Sequence, residues 1–220
     1  MPRTLYLAFL LTFSSIDMIG QGISKNETVR FLALGDSYTI GESVAEVQRW
    51  PEQLVAALKI RGYTCHNAEI IAMTGWRTNE LKKYLAARNL PKNYNLVSLL
   101  IGVNNQYQGK SIEEYKVQFE ELLNMAIEYA RGNNSRVFVL SIPDYGFTPF
   151  GKEEQRQISQ EIDAFNRTNK AIAGEKGVVY VNITDISRKG LTDPDLIAED
   201  GLHPSGKMYA LWVERILGEL

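Results

Sequence analysis

Cysteine and histidine are scarce in this chain of 220 residues, which has one cysteine and two histidines. Because Cys65 is alone, the sequence excludes an intramolecular disulfide and a thiolate metal cluster. Cys65 opens an apolar segment, a position that favours a buried structural thiol. The two histidines, His66 and His203, lie far apart in the sequence, so the chain does not favour a catalytic zinc site. We predict no bound metal.

Charge of one sign is also lacking. The chain has 24 Lys and Arg residues against 26 Asp and Glu residues, a net charge of −2. The two signs are mixed along the sequence without a basic block or an acidic tail. The electrostatics therefore do not point to a nucleic acid or to a membrane surface as partner. The length fits one domain with a full hydrophobic core.

The N-terminal apolar run is too short to cross a bilayer. It covers residues 5–13, follows Arg3, and gives way to small and polar residues through Gly22. This order is typical of a signal peptide, and a buried first helix is the alternative. We predict a signal peptide over residues 1–22, cleaved near residues 18–24, and a single domain over residues 23–220. The protein is then secreted or periplasmic, without stable membrane insertion.

Apolar, strand-like segments alternate with amphipathic, helix-like segments along the rest of the chain. The pattern predicts strands over residues 29–34, 68–73, 95–101, 136–142 and 178–183, and helices over residues 50–60, 78–88, 111–131, 152–173 and 205–217. This alternation predicts an α/β domain with three α/β/α layers, built on a flavodoxin-like, five-stranded parallel sheet. In such sheets, ligands bind beyond the carboxyl ends of the strands.

Residues with catalytic potential follow the predicted strands. Ser37 comes after the first strand, Gly75 after the second and Asn104 after the third, while Asp200 and His203 precede the last helix. These are the parts that acyl transfer requires. We predict Ser37 as nucleophile, His203 as its base and Asp200 as the carboxylate that orients the imidazole. The oxyanion would bind to the N–H groups of Ser37 and Gly75 and to the side-chain amide of Asn104.

Motifs for other chemistries are missing. Thr39 stands where the Gly-x-Ser-x-Gly elbow would have its second glycine. The first strand is not followed by a Gly-x-Gly-x-x-Gly fingerprint. No Gly-x-x-x-x-Gly-Lys segment of the chain continues with the Ser or Thr that completes a phosphate-binding loop. We therefore predict no cofactor.

The catalytic blocks resemble those of the SGNH (GDSL-type) hydrolases. In the order of that family, residues 35–204 contain Gly35-Asp36-Ser37, Gly75, Gly102-x-Asn104 and Asp200-x-x-His203-Pro204. The resemblance implies the SGNH hydrolase fold and ester hydrolysis through an acyl-serine intermediate. The third block of the family usually continues with Asp, whereas this chain has Asn105 followed by Gln106. We expect different hydrogen bonding in that loop, and a distinct substrate preference is one interpretation.

Three functions remain open after this comparison. The first choice is a serine esterase that acts on a small-molecule ester, with a small acyl group or an acetylated carbohydrate, because the sequence has no long apolar lid segment. A lysophospholipase or thioesterase would use the same chemistry. A catalytically silent carbohydrate-binding relative is the alternative from another class, and the presence of Ser37, Asp200 and His203 argues against it.

Several further residues allow two interpretations. His66 opens the second strand and therefore lies near the amino edge of the sheet, far from Gly75, so we interpret it as structural. Asp36 could serve loop structure or catalysis, and we leave it out of the triad. Four aromatic residues just after strand ends could line a pocket or pack in the core; they are Trp76, Tyr107, Tyr145 and Phe147.

Overall fold

The computed structural model describes residues 23–220. The signal peptide predicted over residues 1–22 lies outside this range. Within it, the chain forms one five-stranded sheet in which all paired neighbours are parallel. The strands are β1 (Phe31–Gly35), β2 (Glu69–Ala72), β3 (Leu96–Leu100), β4 (Val137–Leu140) and β5 (Val179–Val181), in the spatial order β2-β1-β3-β4-β5. This order confirms the flavodoxin-like parallel sheet.

Helices cover both faces of the sheet. They are α1 (Ser37–Ile40), α2 (Trp50–Ile60), α3 (Thr78–Ala86), α4 (Val103–Tyr107), α5 (Ile112–Tyr129), α6 (Gln155–Glu175), α7 (Thr184–Ser187) and α8 (Gly206–Glu219). Helices α2 and α8 pack against each other, and α5 packs against both α3 and α6. The three-layer α/β/α architecture is therefore confirmed. No helix of residues 23–220 is long and apolar enough to cross a membrane.

Most predicted elements have bounds that differ from the observed ones by one to three residues. The segment that was predicted to open α6 forms a separate 3-10 turn, Lys152–Glu154, before the α-helix begins. Strand β2 is shorter than predicted, and Ile71 is its only fully buried residue because β2 is an edge strand with one neighbour. Strands β1, β3 and β4, in contrast, are buried along their whole length.

Large aromatic side chains fill the centre of the core. The Phe31 ring lies 5.9 Å from the Trp50 ring and 6.2 Å from the Phe138 ring, measured between centroids, and all three are fully buried. Aromatic rings at these distances add to the stabilisation from buried area. Cys65, which we predicted to be buried, is only half-buried, because it pairs with Val29 just before β1 at the edge of the sheet.

Candidate active site

The turn after β1 presents Ser37. Asp36 caps α1, and its Oδ1 accepts a hydrogen bond of 3.1 Å from the Tyr38 N–H. Ser37 is the first residue of that helix, so its own N–H has no acceptor within the helix and stays available. The Ser37 side chain lines a cavity, although only 5% of the residue is exposed. The strand-to-helix turn thus fixes both the hydroxyl and the N–H of this serine.

Asp36 is a structural neighbour of the site. It is buried and does not line the cavity. Burial raises the pKa of Asp36, while backbone hydrogen bonds from Tyr38 and Gly102 lower it. Burial is the larger effect, so the pKa of Asp36 is about 7. Because Asp36 accepts a hydrogen bond from the Tyr38 N–H, it caps the helix. Of the two interpretations, loop structure and catalysis, this contact supports loop structure.

Gly75 lines the same cavity after β2. Its φ of +82° lies in the left-handed region, which favours glycine, while a Cβ atom at this position would meet nothing within 4 Å. The backbone conformation alone therefore requires glycine here. The conformation decides where the Gly75 N–H points.

Asn104 belongs to α4, the short helix after β3. Its Nδ2 donates a hydrogen bond of 3.0 Å to the Trp76 carbonyl oxygen, which ties the third predicted block to the second. A side-chain amide has two N–H donors, so one remains for a ligand in the cavity that Asn104 lines. Gly102, just before α4, has a φ of +135°, and a Cβ there would lie 2.7 Å from the Tyr115 ring.

Asn105, the residue that departs from the family pattern, points away from the cavity. It is buried, and its Oδ1 accepts a hydrogen bond of 3.1 Å from the Thr78 N–H. Its Nδ2 donates to the Thr78 hydroxyl at 2.8 Å, and that hydroxyl donates to Gln118. Asn105 therefore holds the start of α3 against α4. These bonds to Thr78 are the hydrogen bonding of the loop in which this chain has Asn105 in place of the family's usual Asp.

Asp200 and His203 form a close pair before α8. The Nδ1 of His203 lies 2.6 Å from Oδ2 of Asp200, while Oδ1 accepts the N–H groups of Leu202 and His203 at 2.9 Å each. Ser43 donates a further hydrogen bond to Oδ2. Burial raises the pKa of Asp200, but the hydrogen bonds from Ser43, His203 and Leu202 outweigh it and hold the pKa well below its usual value. The carboxylate is ionised near neutral pH and faces the imidazole.

One cavity of about 310 Å³ unites the predicted blocks. Ser37, Gly75, Asn104 and His203 all line it, and Asp200 lies behind His203. The Tyr38 ring packs edge-on against the His203 ring, with 5.6 Å between centroids, which supports the imidazole from the side. The remaining lining residues are Tyr38, Thr74, Val103, Tyr107, Tyr145, Phe150 and Leu202.

The four aromatic residues divide into two pairs. Tyr107 and Tyr145 line the cavity. Trp76 instead packs against Tyr84 in a tilted arrangement, with 4.9 Å between ring centroids, and it does not line the cavity. Phe147 does not line it either, and its ring lies beside the Arg188 guanidinium.

Several residues at the site were missed in the sequence, among them Phe150 and Ser43. Phe150 lines the cavity, and its position after the fourth strand is the signal that could have found it. Ser43 contacts Asp200, but nothing in the sequence pattern indicates this. His66 lies where expected, because its N–H donates to the Val29 carbonyl oxygen at the amino end of the sheet. Among residues 23–220, no group of three or more His, Cys, Asp or Glu side chains could hold a metal ion.

The fold is similar to those of several solved structures. TesA superposes with a TM-score of 0.67 at 18% identity, over 88% of this chain and 98% of TesA. The acetylxylan esterase Axe2 from Geobacillus stearothermophilus gives 0.64 at 20% identity, over 88% and 94% of the two chains. The psychrotrophic esterase EstA from Pseudoalteromonas sp. gives 0.62 at 16% identity, over 87% and 95%. At such identities, the similarity establishes the fold alone.

The sequence itself identifies the family. Comparison with curated proteins gives no match. The profile of a hydrolase family, described as the GDSL-like lipase/acylhydrolase family, matches residues 33–211. This range begins in β1, ends in α8 and includes every residue of the predicted triad and oxyanion hole. The chain belongs to the GDSL-like lipase/acylhydrolase family.

Proposed function

We propose that the protein is a serine esterase that hydrolyses carboxylic esters through an acyl-Ser37 intermediate. The observation that carries the proposal is the Asp200–His203 pair, 2.6 Å apart, with its imidazole at the same cavity as Ser37. A histidine fixed by an ionised carboxylate is the base that a serine hydroxyl needs.

Each group has one task in the proposed reaction. The Ser37 Oγ attacks the ester carbonyl carbon while His203 takes the hydroxyl proton. Asp200 holds the proton on Nδ1 of the imidazole and stabilises the imidazolium as it forms. His203 then gives the proton to the leaving alcohol, and water attacks the acyl-enzyme by the same route in reverse.

The oxyanion needs donors that are already in place. The Ser37 N–H at the start of α1, the Gly75 N–H and the free N–H of the Asn104 amide are the three candidates at the cavity. Because their backbone segments are fixed by the helix start, the left-handed turn and the bond to Trp76, little reorganisation is needed. Removal of one such donor costs ~100- to 1000-fold in rate.

The cavity supports a small acyl group. Its volume of about 310 Å³ lies at the lower end for ligand sites. We therefore favour short-chain esters, including acetylated carbohydrates, over lipids with long acyl chains. Axe2, described as an acetylxylan esterase, has the same fold. We also propose export through the signal peptide over residues 1–22, and the N-terminus of the mature protein from its host tests this.

A fluorophosphonate probe tests the proposed nucleophile. It should label the wild-type protein and not Ser37→Ala. Ser135→Ala is a matched control, because Ser135 lies in the 3-10 turn before β4, at the opposite end of the strands from Ser37. Labelling of Ser37→Ala at the wild-type rate would refute the assignment of Ser37, and hydrolysis of p-nitrophenyl acetate by that variant would refute the mechanism.

A further inference from the structure

A second cavity adjoins the one that contains Ser37. Its volume is about 460 Å³, and the two cavities share Tyr107, Tyr145 and Phe150 in their walls. The three rings lie 6.1 to 6.3 Å from one another, measured between centroids. The residues Tyr107 and Phe150 are more than half exposed. An ester held at Ser37 would therefore meet this second cavity beyond an aromatic boundary.

The second cavity, which we call the acidic groove, has a negative lining. Glu153, Glu154 and Glu161 line it, while no Lys, Arg or His residue does. Within residues 23–220, none of these three carboxylates forms an ion pair. Lys152 and Arg156 are neighbours in sequence but do not line the groove. The groove thus contains three carboxyl groups without an ion-pair partner in the described part of the protein, and one of them, Glu161, accepts hydrogen bonds from Gln106 and Gln157.

Gln106 connects the acidic groove to the active site. It lines the groove but is only 7% exposed, and its Nε2 donates a hydrogen bond of 2.6 Å to Glu161. Its Oε1 is buried and has no hydrogen-bond donor within residues 23–220. Gln106 also lies in α4, two residues after Asn104. A buried amide with an open acceptor at the groove indicates a ligand with a donor group, held by the same helix as the oxyanion donor.

We propose that the acidic groove binds a protonated amino group on the alcohol part of the ester, so that the preferred substrates are esters of amino alcohols. This inference rests on the proposed esterase function. The Glu carboxylates attract the positive charge, and the exposed faces of Tyr107 and Phe150 offer cation–π contacts. The acyl group stays in the cavity of Ser37, and the alcohol part crosses the aromatic boundary.

A pair of substrates with the same shape tests the charge alone. 2-(Dimethylamino)ethyl acetate, which is protonated at neutral pH, and 3-methylbutyl acetate have the same shape and differ in a nitrogen and its charge. For the wild type, we expect kcat/KM to be at least about tenfold higher for the amino ester, an advantage that falls as salt is added. Glu153→Gln/Glu154→Gln should remove most of this advantage, and the triple variant with Glu161→Gln should abolish it.

The controls separate this inference from the proposed function. Glu175→Gln makes the same charge change at the exposed end of α6, about 20 Å from Glu161 at 1.5 Å per residue, and should keep the advantage. Equal kcat/KM for the two esters in the wild type, or equal preference for neutral glycerol monoacetate, would overturn the inference and leave the esterase intact.

A protection measurement covers the case in which neither ester turns over. 2-(Dimethylamino)ethanol, protonated at neutral pH, should then slow the phosphonate labelling of Ser37, and 3-methylbutan-1-ol should do so at least about tenfold less effectively. Equal protection by the two alcohols, or protection that survives in Glu153→Gln/Glu154→Gln, counts against the acidic groove. Absence of labelling itself counts against the proposed function.

Discussion

The Ser43 hydroxyl donates a hydrogen bond of 2.6 Å to Oδ2 of Asp200, the same oxygen that pairs with Nδ1 of His203. Ser43 has a φ of +64°, a left-handed conformation that costs a residue with a side chain roughly 1–2 kcal/mol. The neighbouring Glu42 accepts a hydrogen bond from Thr74, which lines the cavity. The loop after α1 therefore contacts the predicted triad on one side and the cavity wall on the other.

This geometry makes Ser43 a positioning residue, and its effect on kcat can be separated from its effect on stability. Ser43→Ala and Ser43→Gly both remove the donor to Asp200, so kcat for p-nitrophenyl acetate should fall by about tenfold in both while KM stays unchanged. Only the glycine variant relieves the backbone, so its free energy of unfolding should exceed that of the alanine variant by about 1 kcal/mol. Kinetics and urea unfolding of the two variants measure this. If kcat fell in proportion to the loss of stability and was therefore higher in the glycine variant, the bond to Asp200 would not be the cause of the lower kcat.

The predicted triad should behave as one unit. Asp200→Asn and His203→Ala should each lower kcat by about 10³-fold or more, and the double variant should be little worse than His203→Ala alone. His66→Ala is the control, because His66 is exposed at the amino end of the sheet and should keep wild-type turnover. Circular dichroism checks that all variants fold. If the losses in kcat of Asp200→Asn and His203→Ala multiplied in the double variant, or if the His66 variant lost its turnover, His203 would not be the base that acts with Asp200.

Asp36 should make stability depend on pH in an unusual direction. Its pKa of about 7 in the folded protein exceeds the value of ~3.9 expected for the unfolded chain. The folded state therefore keeps the proton that the unfolded chain releases, so Asp36 lowers the free energy of unfolding as the pH rises from 4 to 7. Asp36→Asn keeps an acceptor for the Tyr38 N–H but cannot ionise.

The measurement is the difference in unfolding free energy between Asp36→Asn and the wild type at several pH values. We expect this difference to shift in favour of the variant by on the order of a few kcal/mol between pH 4 and pH 7.5. Asp195→Asn, at a highly exposed carboxyl group, should show no comparable shift. A flat difference for Asp36→Asn would mean that the carboxyl group ionises freely in the folded protein.

Restoring the family's usual Asp at residue 105 should destabilise this chain. An aspartate can accept from the Thr78 N–H but cannot donate to the Thr78 hydroxyl, which already donates to Gln118. Asn105→Asp should therefore lower the free energy of unfolding by about 1–3 kcal/mol at neutral pH. Because Asn105 does not line the cavity, Ser37 should still react with the phosphonate. Asn26→Asp, in an exposed turn, is the control and should unfold like the wild type.

The sequence predicts the sheet and the strand ends well because both depend on local patterns. Apolar runs identify β1, β3 and β4, which are buried over their whole length. In a parallel sheet the carboxyl ends share one edge, so the segments that contain Ser37, Gly75 and Asn104 meet without knowledge of any side-chain contact.

Side-chain direction in loops could not be predicted in the same way. Trp76 and Phe147 follow strands, as do the cavity residues Tyr107 and Tyr145. The Trp76 ring nevertheless packs against Tyr84, and the Phe147 ring lies beside Arg188. The contact of Ser43 with Asp200 depends on a left-handed residue, which is rare for serine and has no sequence signal. The acidic groove could not be predicted from the sequence. Its carboxylates lie in the 3-10 turn Lys152–Glu154 and in α6, whereas the sequence pattern predicts a single polar helix over both segments.

The bond between Ser43 and Asp200 joins residues 157 positions apart in the chain. The proposed nucleophile therefore acquires its base only after the last part of the sheet and α8 have docked. A polypeptide interrupted before residue 200 would have Ser37 without His203, and it would be inert towards esters. The reaction with a phosphonate would thus report completed folding, and during synthesis on the ribosome we expect the serine to stay silent until residues 200–203 have emerged and docked.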